Sequence, residues 1–286
     1  MHCSEETFQG QSGLELYSQS WHPSGETKAA LAIVHGVAEH SNRYLNLVNV
    51  LVDQGYALYA FDQRGHGQSE GQRGYIESWS EYRLDLGVFL DLIRQREPSL
   101  PIFAYGHSMG ALVILDYLLH GSNSLSGVIV SASPIDSSKA ASPVLVATAR
   151  LLSRIWPTFS LSTPINPSQL SCDARVVQAY QEDPTVFKIL TVRWGTEYLN
   201  TQNWVKDHAS GINLPILIIH GGEDTLCDPE GSQYLYDQIS SVDKTLIIYP
   251  SYFHEIHNEP GHTTVVQDIN TWMEAHLDSE NVIEAE

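Results

Sequence analysis

A chain of 286 residues with 42% hydrophobic content is long enough to bury one large core. Its 34 acidic against 15 basic side chains give a formal charge of −19, which argues against nucleic acid as a partner. The same charge repels anionic bilayers at long range, although salt screens that field within about 8–10 Å and a local basic patch can override it.

Cys3, Cys172 and Cys227 form no C-x-x-C pair, so neither a disulfide framework nor a zinc site is indicated. Reduced thiols in the cytoplasm are the expectation. The first ten residues carry Glu5 and Glu6 and lack both a basic start and an apolar run, unlike a secretory signal. No apolar stretch is long enough to span a bilayer, so any membrane contact is expected to be peripheral.

Along the chain, residues 7–21 alternate weakly around Gly10 and Gly13, which predicts an antiparallel strand pair. Residues 29–34 are an unbroken apolar run ending in His35-Gly36, as expected for a strand covered on both faces, and residues 57–61 are another. Between them Leu45, Val48, Leu51 and Val52 recur at helical spacing, with Gly55 as a stop. A helix over 80–96, a strand over 102–105, a helix over 109–120 and a strand over 127–130 follow. After a break, a strand over 216–220, a helix near 229–239, a strand over 245–249 and a last helix from about 263 to 277 resume the rhythm. Alternating strand and helix predicts a mostly parallel sheet flanked by helices.

The break holds Pro143, Pro157, Pro164, Pro167 and Pro184 and reads as short helices without a buried strand. It is expected to be a helical lid, residues 136–211, inserted into a core made of residues 1–135 and 212–286. Within it Val144, Leu145, Thr148, Leu151, Leu152, Ile155, Trp156 and Phe159 fall near one helix face, with Arg150 and Arg154 toward another side. Such a stripe can line an acyl tunnel, dip into a bilayer or pack on the core.

Gly106-His107-Ser108-Met109-Gly110 matches G-x-S-x-G where a strand ends and a helix begins, the context that lifts a serine above the sheet of an α/β-hydrolase fold. An alcohol needs a base to take its proton and an acid to orient that base. In this fold the chain order is serine, acid, histidine. Asp224 follows one strand and His254 the last, both where side chains converge on the nucleophile. Glu223, Asp228 and Asp136 compete for the acid role, and His257 for the base. The two histidines lie three apart, where a helical zinc motif needs four, so no metal is indicated. Oxyanion donors are expected from the backbone N–H groups of Val37 and Met109. The glycines of Gly65-His66-Gly67 and Gly71 miss the dinucleotide spacing by one residue and read as a turn. No cofactor is expected.

Taken together, the segments 35–40, 61–71, 106–110 and 224–228 resemble the monoacylglycerol lipase and lysophospholipase family, and residues 179–184 of the lid are similar as well. The resemblance implies the triad Ser108, Asp224 and His254 and oxyanion donors at Val37 and Met109. It also implies a polar site for glycerol hydroxyls at Glu39, Arg43 and His257, with Tyr180 contributed by the lid. The bland alternative for Glu39 and Arg43 is a surface ion pair near a helix start. Gln63 departs from family members with histidine there. The expected reaction is hydrolysis of a monoacylglycerol, a lipid ester, to fatty acid and glycerol through an acyl-serine intermediate. A lysophospholipase, a general carboxylesterase, an acyltransferase or a non-catalytic ligand receptor on the same fold are the rivals.

Overall fold

The computed structural model describes residues 1–121, 125–135, 143–163 and 165–277. The first strands, β1 (His2–Gln9) and β2 (Glu15–His22), form an antiparallel hairpin that begins earlier than its weak alternation suggests. Strand β3 (Ala29–Val34) is buried along its whole length. A 3-10 turn (Ser41–Tyr44) leads into α1 (Leu45–Asp53), the helix that the spacing of Leu45, Val48, Leu51 and Val52 predicts. Strand β4 (Tyr56–Phe61), α2 (Ser80–Arg96), β5 (Ile102–His107), α3 (Met109–His120) and β6 (Gly127–Ser131) complete the first part.

The region expected to be mostly short helices is mainly helical, with longer helices than expected and a pair of three-residue strands. Helix α4 (Pro143–Ile155), β7 (Ser160–Ser162), α5 (Ala174–Glu182), β8 (Ile189–Thr191) and the 17-residue α6 (Val192–His208) follow one another, and β7 pairs antiparallel with β8. Strands of three residues are too short to show a period of two. Helix α6 is capped at its start, where the Thr191 side chain accepts from the Trp194 amide. The expected start of the insertion at 136, and with it Asp136, lies outside the described residues.

Strand β9 (Ile216–Gly221), α7 (Pro229–Gln238), β10 (Lys244–Tyr249) and α8 (His262–Ala275) close the chain. The main sheet runs β1-β2-β4-β3-β5-β6-β9-β10 and is parallel from β4 onward. Alternate side chains of one strand serve two cores. Ala30, Ala32 and Val34 of β3 pack with α2 and α3, while Ala29, Leu31 and Ile33 pack with α1 and α8. Because the central strands are parallel, β3, β5, β9 and β10 all deliver the chain to the same sheet edge. Segments 35–39, 108–110, 222–228 and 250–257 therefore meet there, although they are far apart in sequence.

Helix α3 lies unusually close to β3. A Cβ added at Gly110 would run into the Val34 carbonyl oxygen, and one at Gly106 would lie 2.7 Å from the Gly110 oxygen and 2.8 Å from Ala111 Cα. These are backbone obstacles that no rotamer change relieves. Gly110→Ala is expected to destabilise the fold by about 3 kcal/mol, in the upper range for overpacked sites. Equilibrium urea unfolding checks this, and a variant as stable as the parent would show that α3 can shift freely.

Candidate active site

Ser108 stands between the last residue of β5 and the first of α3, with φ 52° and ψ −117°. Such sparsely populated backbone costs a non-glycine residue about 1–3 kcal/mol and persists only where packing enforces it. The close approach of α3 to β3 supplies that packing, and the Ser108 amide donates to the Ser131 carbonyl at the end of β6 (2.9 Å). The side chain is 93% buried in the floor of a cavity that it shares with His254.

Asp224, in the turn after β9, uses its two oxygens differently. Oδ1 accepts the amides of Leu226 (2.8 Å) and Cys227 (3.0 Å), which fixes the plane of the carboxylate. Oδ2 accepts from His254 Nδ1 (2.7 Å) and from His220 Nε2 (3.0 Å). His220 is anchored in turn through Nδ1, which accepts from the Ser232 hydroxyl (2.6 Å). Burial by itself would raise the Asp224 pKa, yet His254 and His220 hold it well below the usual carboxylate range. His220 was missed at the sequence level. The signal was a polar residue ending the apolar run Ile216 to Ile219.

His254 is also buried, which disfavours its charged form, but the Asp224 carboxylate outweighs burial and raises its pKa above 6.5. With Nδ1 committed to Asp224, Nε2 is the nitrogen that can take a proton. The His107 ring packs against His254 with centroids 4.6 Å apart. Ser108 and Cys227 line the same cavity as His254. The insertion also grips the histidine loop. Leu170 O accepts from the Glu255 amide (2.7 Å), Gln169 O accepts from the His254 amide (3.4 Å), and Gln169 Nε2 donates to Thr225 Oγ1 (2.6 Å).

Other candidates occupy distinct places. His257 is fully buried, stacks on Tyr44 (4.6 Å between centroids, 13° between planes) and shares a 3.2 Å contact with the Tyr105 hydroxyl, away from Asp224. Burial pushes its pKa down to about 3. Asp228 caps α7 by accepting from the Glu230 amide (3.1 Å). Val37 lines the cavity, and Met109 is the first residue of α3, where amides have no intrahelical acceptor.

Glu39 and Arg43 form no surface pair. Glu39 is 3% exposed, and its Oε1 accepts from the Gly36 amide (2.6 Å) and the Tyr44 hydroxyl (2.7 Å). Arg43 donates from Nε to Glu39 (3.1 Å) and from Nη2 to both oxygens of Glu255 (2.6 and 2.5 Å), and its guanidinium lies 4.8 Å from the Tyr180 ring centre. Glu39, Glu255 and Tyr180 line the cavity; Arg43 and His257 stand outside the lining, and Arg43 braces all three of those residues. Burial, then Glu255, raise the Glu39 pKa; at Glu255 burial pulls upward but Arg43 wins and lowers it. Glu255 was visible in sequence only as the neighbour of His254.

Ligand atoms of Asp224, Cys227 and His254 lie within 4.8 Å of one another. They do not suit a metal ion, because Asp224 Oδ2 is taken by two imidazole N–H groups and burial holds the Cys227 thiol protonated.

The family described as serine aminopeptidase, S33 (Hydrolase_4) matches over residues 25–261. The chain is 30% identical over 275 residues to a monoacylglycerol lipase of Mycolicibacterium smegmatis, covering 96% of this chain and 98% of that protein. It is 33% identical over 265 residues to the monoglyceride lipase of Homo sapiens, covering 91% and 87% respectively. Among solved structures, the monoacylglycerol lipase of Paleococcus ferrophilus superposes with a TM-score of 0.82 at 31% identity, covering 92% of this chain and 99% of its own.

A base must be neutral to accept a proton, so kcat/KM for a soluble nitrophenyl ester should fall as pH drops through the His254 pKa, starting above 6.5 because that pKa is raised. Asp224→Asn removes the raising charge, which moves this acid limb to lower pH and lowers kcat on the order of 10⁴-fold. Profiles of both proteins with coincident limbs would dissociate Asp224 from the base.

Proposed function

We propose, since this chain belongs to the serine aminopeptidase S33 (Hydrolase_4) family and to the monoacylglycerol lipases within it, that it hydrolyses the ester of a monoacylglycerol to fatty acid and glycerol. The observation that carries this reading is one cavity that joins Ser108 and His254 to apolar walls formed by Leu170, Leu190, Trp194, Tyr198 and Leu226. Those walls suit an acyl chain. The charged side chains nearby already pair with Arg43, which suits a neutral polyol head.

In this mechanism Ser108 attacks the ester carbonyl while His254 Nε2 takes the hydroxyl proton. The N–H groups of Val37 and Met109 hold the oxyanion, each worth about 3 kcal/mol in the transition state. The imidazolium then protonates the glycerol oxygen, and the acyl chain stays on Ser108. His254 next activates the water that releases the acid, with Asp224 holding its tautomer throughout. Glu39 and Tyr180 line the side that receives the glycerol, with Arg43 bracing both from outside the lining; His257, expected there from the resemblance, also stands outside it.

Residues 136–211 act as the lid. The enclosed space of about 150 Å³ is smaller than the roughly 300 Å³ at which ligand pockets begin, so a long chain requires the lid walls to yield. On the outer side of the lid Leu151, Ile155 and Trp156 are all more than half exposed, and Phe159 packs on Trp156 with centroids 5.2 Å apart. We assign this face to peripheral contact with a lipid surface. No helix among the described residues is long and apolar enough to cross a membrane, and all three cysteines are free, as in a reducing cytoplasm.

A panel of monoacylglycerols, diacylglycerols, lysophospholipids and short esters should show monoacylglycerols with the highest kcat/KM, and Ser108→Ala should lower kcat on the order of 10⁴-fold or more with an unchanged circular dichroism spectrum. Preference for a lysophospholipid would sink the substrate assignment and leave the mechanism standing. Ile155→Ser with Trp156→Ser should weaken binding to phosphatidylcholine vesicles about tenfold or more, from the lost apolar burial. Unchanged vesicle binding would assign that face to another role.

A further inference from the structure

The lid carries a second cavity of about 440 Å³, between α4 and α6 and apart from the active site. Arg150, Ser153 and Arg154 of α4 share one helix face by their spacing of three and four, and Arg193, Glu197 and Asn200 face them from α6 in the same way. Three of the chain's 15 basic side chains thus converge at one place in a protein of net charge −19. Carboxylates do not neutralise them all. Among the described residues, Arg193 has Glu77 at 3.5 Å and Glu197 at 3.8 Å, Arg150 reaches only the Asn200 amide oxygen (3.2 Å), and Arg154 has no ion pair.

Two donors in this cavity also lack acceptors. Among the described residues, the Ser153 hydroxyl, on a residue 1% exposed, and Arg193 Nε are both buried without a hydrogen-bond partner. Folding leaves such groups unpaired at a cost that an incoming acceptor recovers. Guanidinium forks with a hydroxyl between them are a donor set for a phosphate group. On α4, exposed Leu151 and Ile155 each follow one of these arginines in sequence, so an apolar face and a donor-lined cavity open side by side.

We propose that this cavity seats the phosphomonoester of an anionic phospholipid headgroup when the lid lies on a bilayer. The inference rests on the lid contact given above and adds a specific ligand to it. It also resolves a conflict in the charge. The body of the protein is repelled by an anionic surface, so this cationic, apolar-edged face sets the orientation of approach and turns the lid toward the lipid.

The test is co-sedimentation of the full chain with phosphatidylcholine vesicles, with and without phosphatidic acid, alongside hydrolysis of a soluble ester. Phosphatidic acid should strengthen binding, and Arg150→Gln with Arg154→Gln should remove that gain, weakening binding about tenfold or more. Arg94→Gln with Arg96→Gln, which removes the same charge from α2, should change little. Arg150→Lys with Arg154→Lys keeps the charge but loses the fork, and Ser153→Ala removes the unpaired hydroxyl; each should weaken binding about threefold if a phosphate is seated.

The proposal is overturned if both vesicle types bind equally, if the α2 control loses as much, or if the lysine and alanine variants match the parent. Inorganic phosphate that raises the parent's melting temperature, with vesicle binding indifferent to every substitution, would make a free ion the ligand and remove the lipid. Soluble-ester hydrolysis unchanged across the variants shows that they are folded; its absence from the parent would sink the hydrolase reading and leave the vesicle result to stand alone.

Discussion

Helix α3 can approach β3 only because no side chain stands at Gly110, and the position of Ser108 follows from that approach. The chain leaves β5 and must turn at once into α3. The residue at the turn is therefore forced into an uncommon backbone conformation, and that residue is Ser108. The same turn places the amide of Met109 at the start of a helix, where it has no internal acceptor. The Ser108 hydroxyl and the Met109 amide are placed by one steric constraint, and the local strain at Ser108 is sustained by the burial of α3 in the larger core.

Electrostatic order at the site comes from a single carboxylate with four donors. Asp224 takes two backbone amides on one oxygen and two imidazoles on the other, so it is held in plane and stays ionised despite burial. Its effect on His254 is directional as well as electrostatic, because the bond to Nδ1 decides which nitrogen is available for proton transfer. A second network, Glu39 with Arg43 and Glu255, lies beside the first. It is tied to the oxyanion loop through the Gly36 amide and to the histidine loop through Glu255 itself, so the two halves of the site are braced against each other by one guanidinium.

The insertion takes part in this bracing. Backbone carbonyls of Gln169 and Leu170 hold the loop that presents His254, and Tyr180 covers the guanidinium of Arg43. The segment between β6 and β9 is thereby tied to His254 and to the polar side of the cavity. Its outer surface faces other demands: exposed Leu151, Ile155 and Trp156 lie beside a cavity rich in arginine, whereas its inner surface supplies Leu190, Trp194 and Tyr198 to the cavity around Ser108.

Much of this was legible in the residues. The unbroken apolar runs at 29–34, 102–105 and 216–219 read as strands covered on both faces, since only a sheet with helices on either side can bury every side chain of a strand. The glycines flanking Ser108 marked the turn, and the order of serine, acid and histidine followed from the order of the parallel strands. What sequence could not express was pairing across long separations. His220 beside Asp224, Glu255 gripping Arg43 from 212 residues away, the three-residue strands of the lid and the meeting of Arg150 and Arg154 with Arg193 leave no periodic trace, because periodicity reports which face of an element is buried and not which partner covers it. Elements were determined locally by pattern, and their meeting points were decided only when the whole core closed.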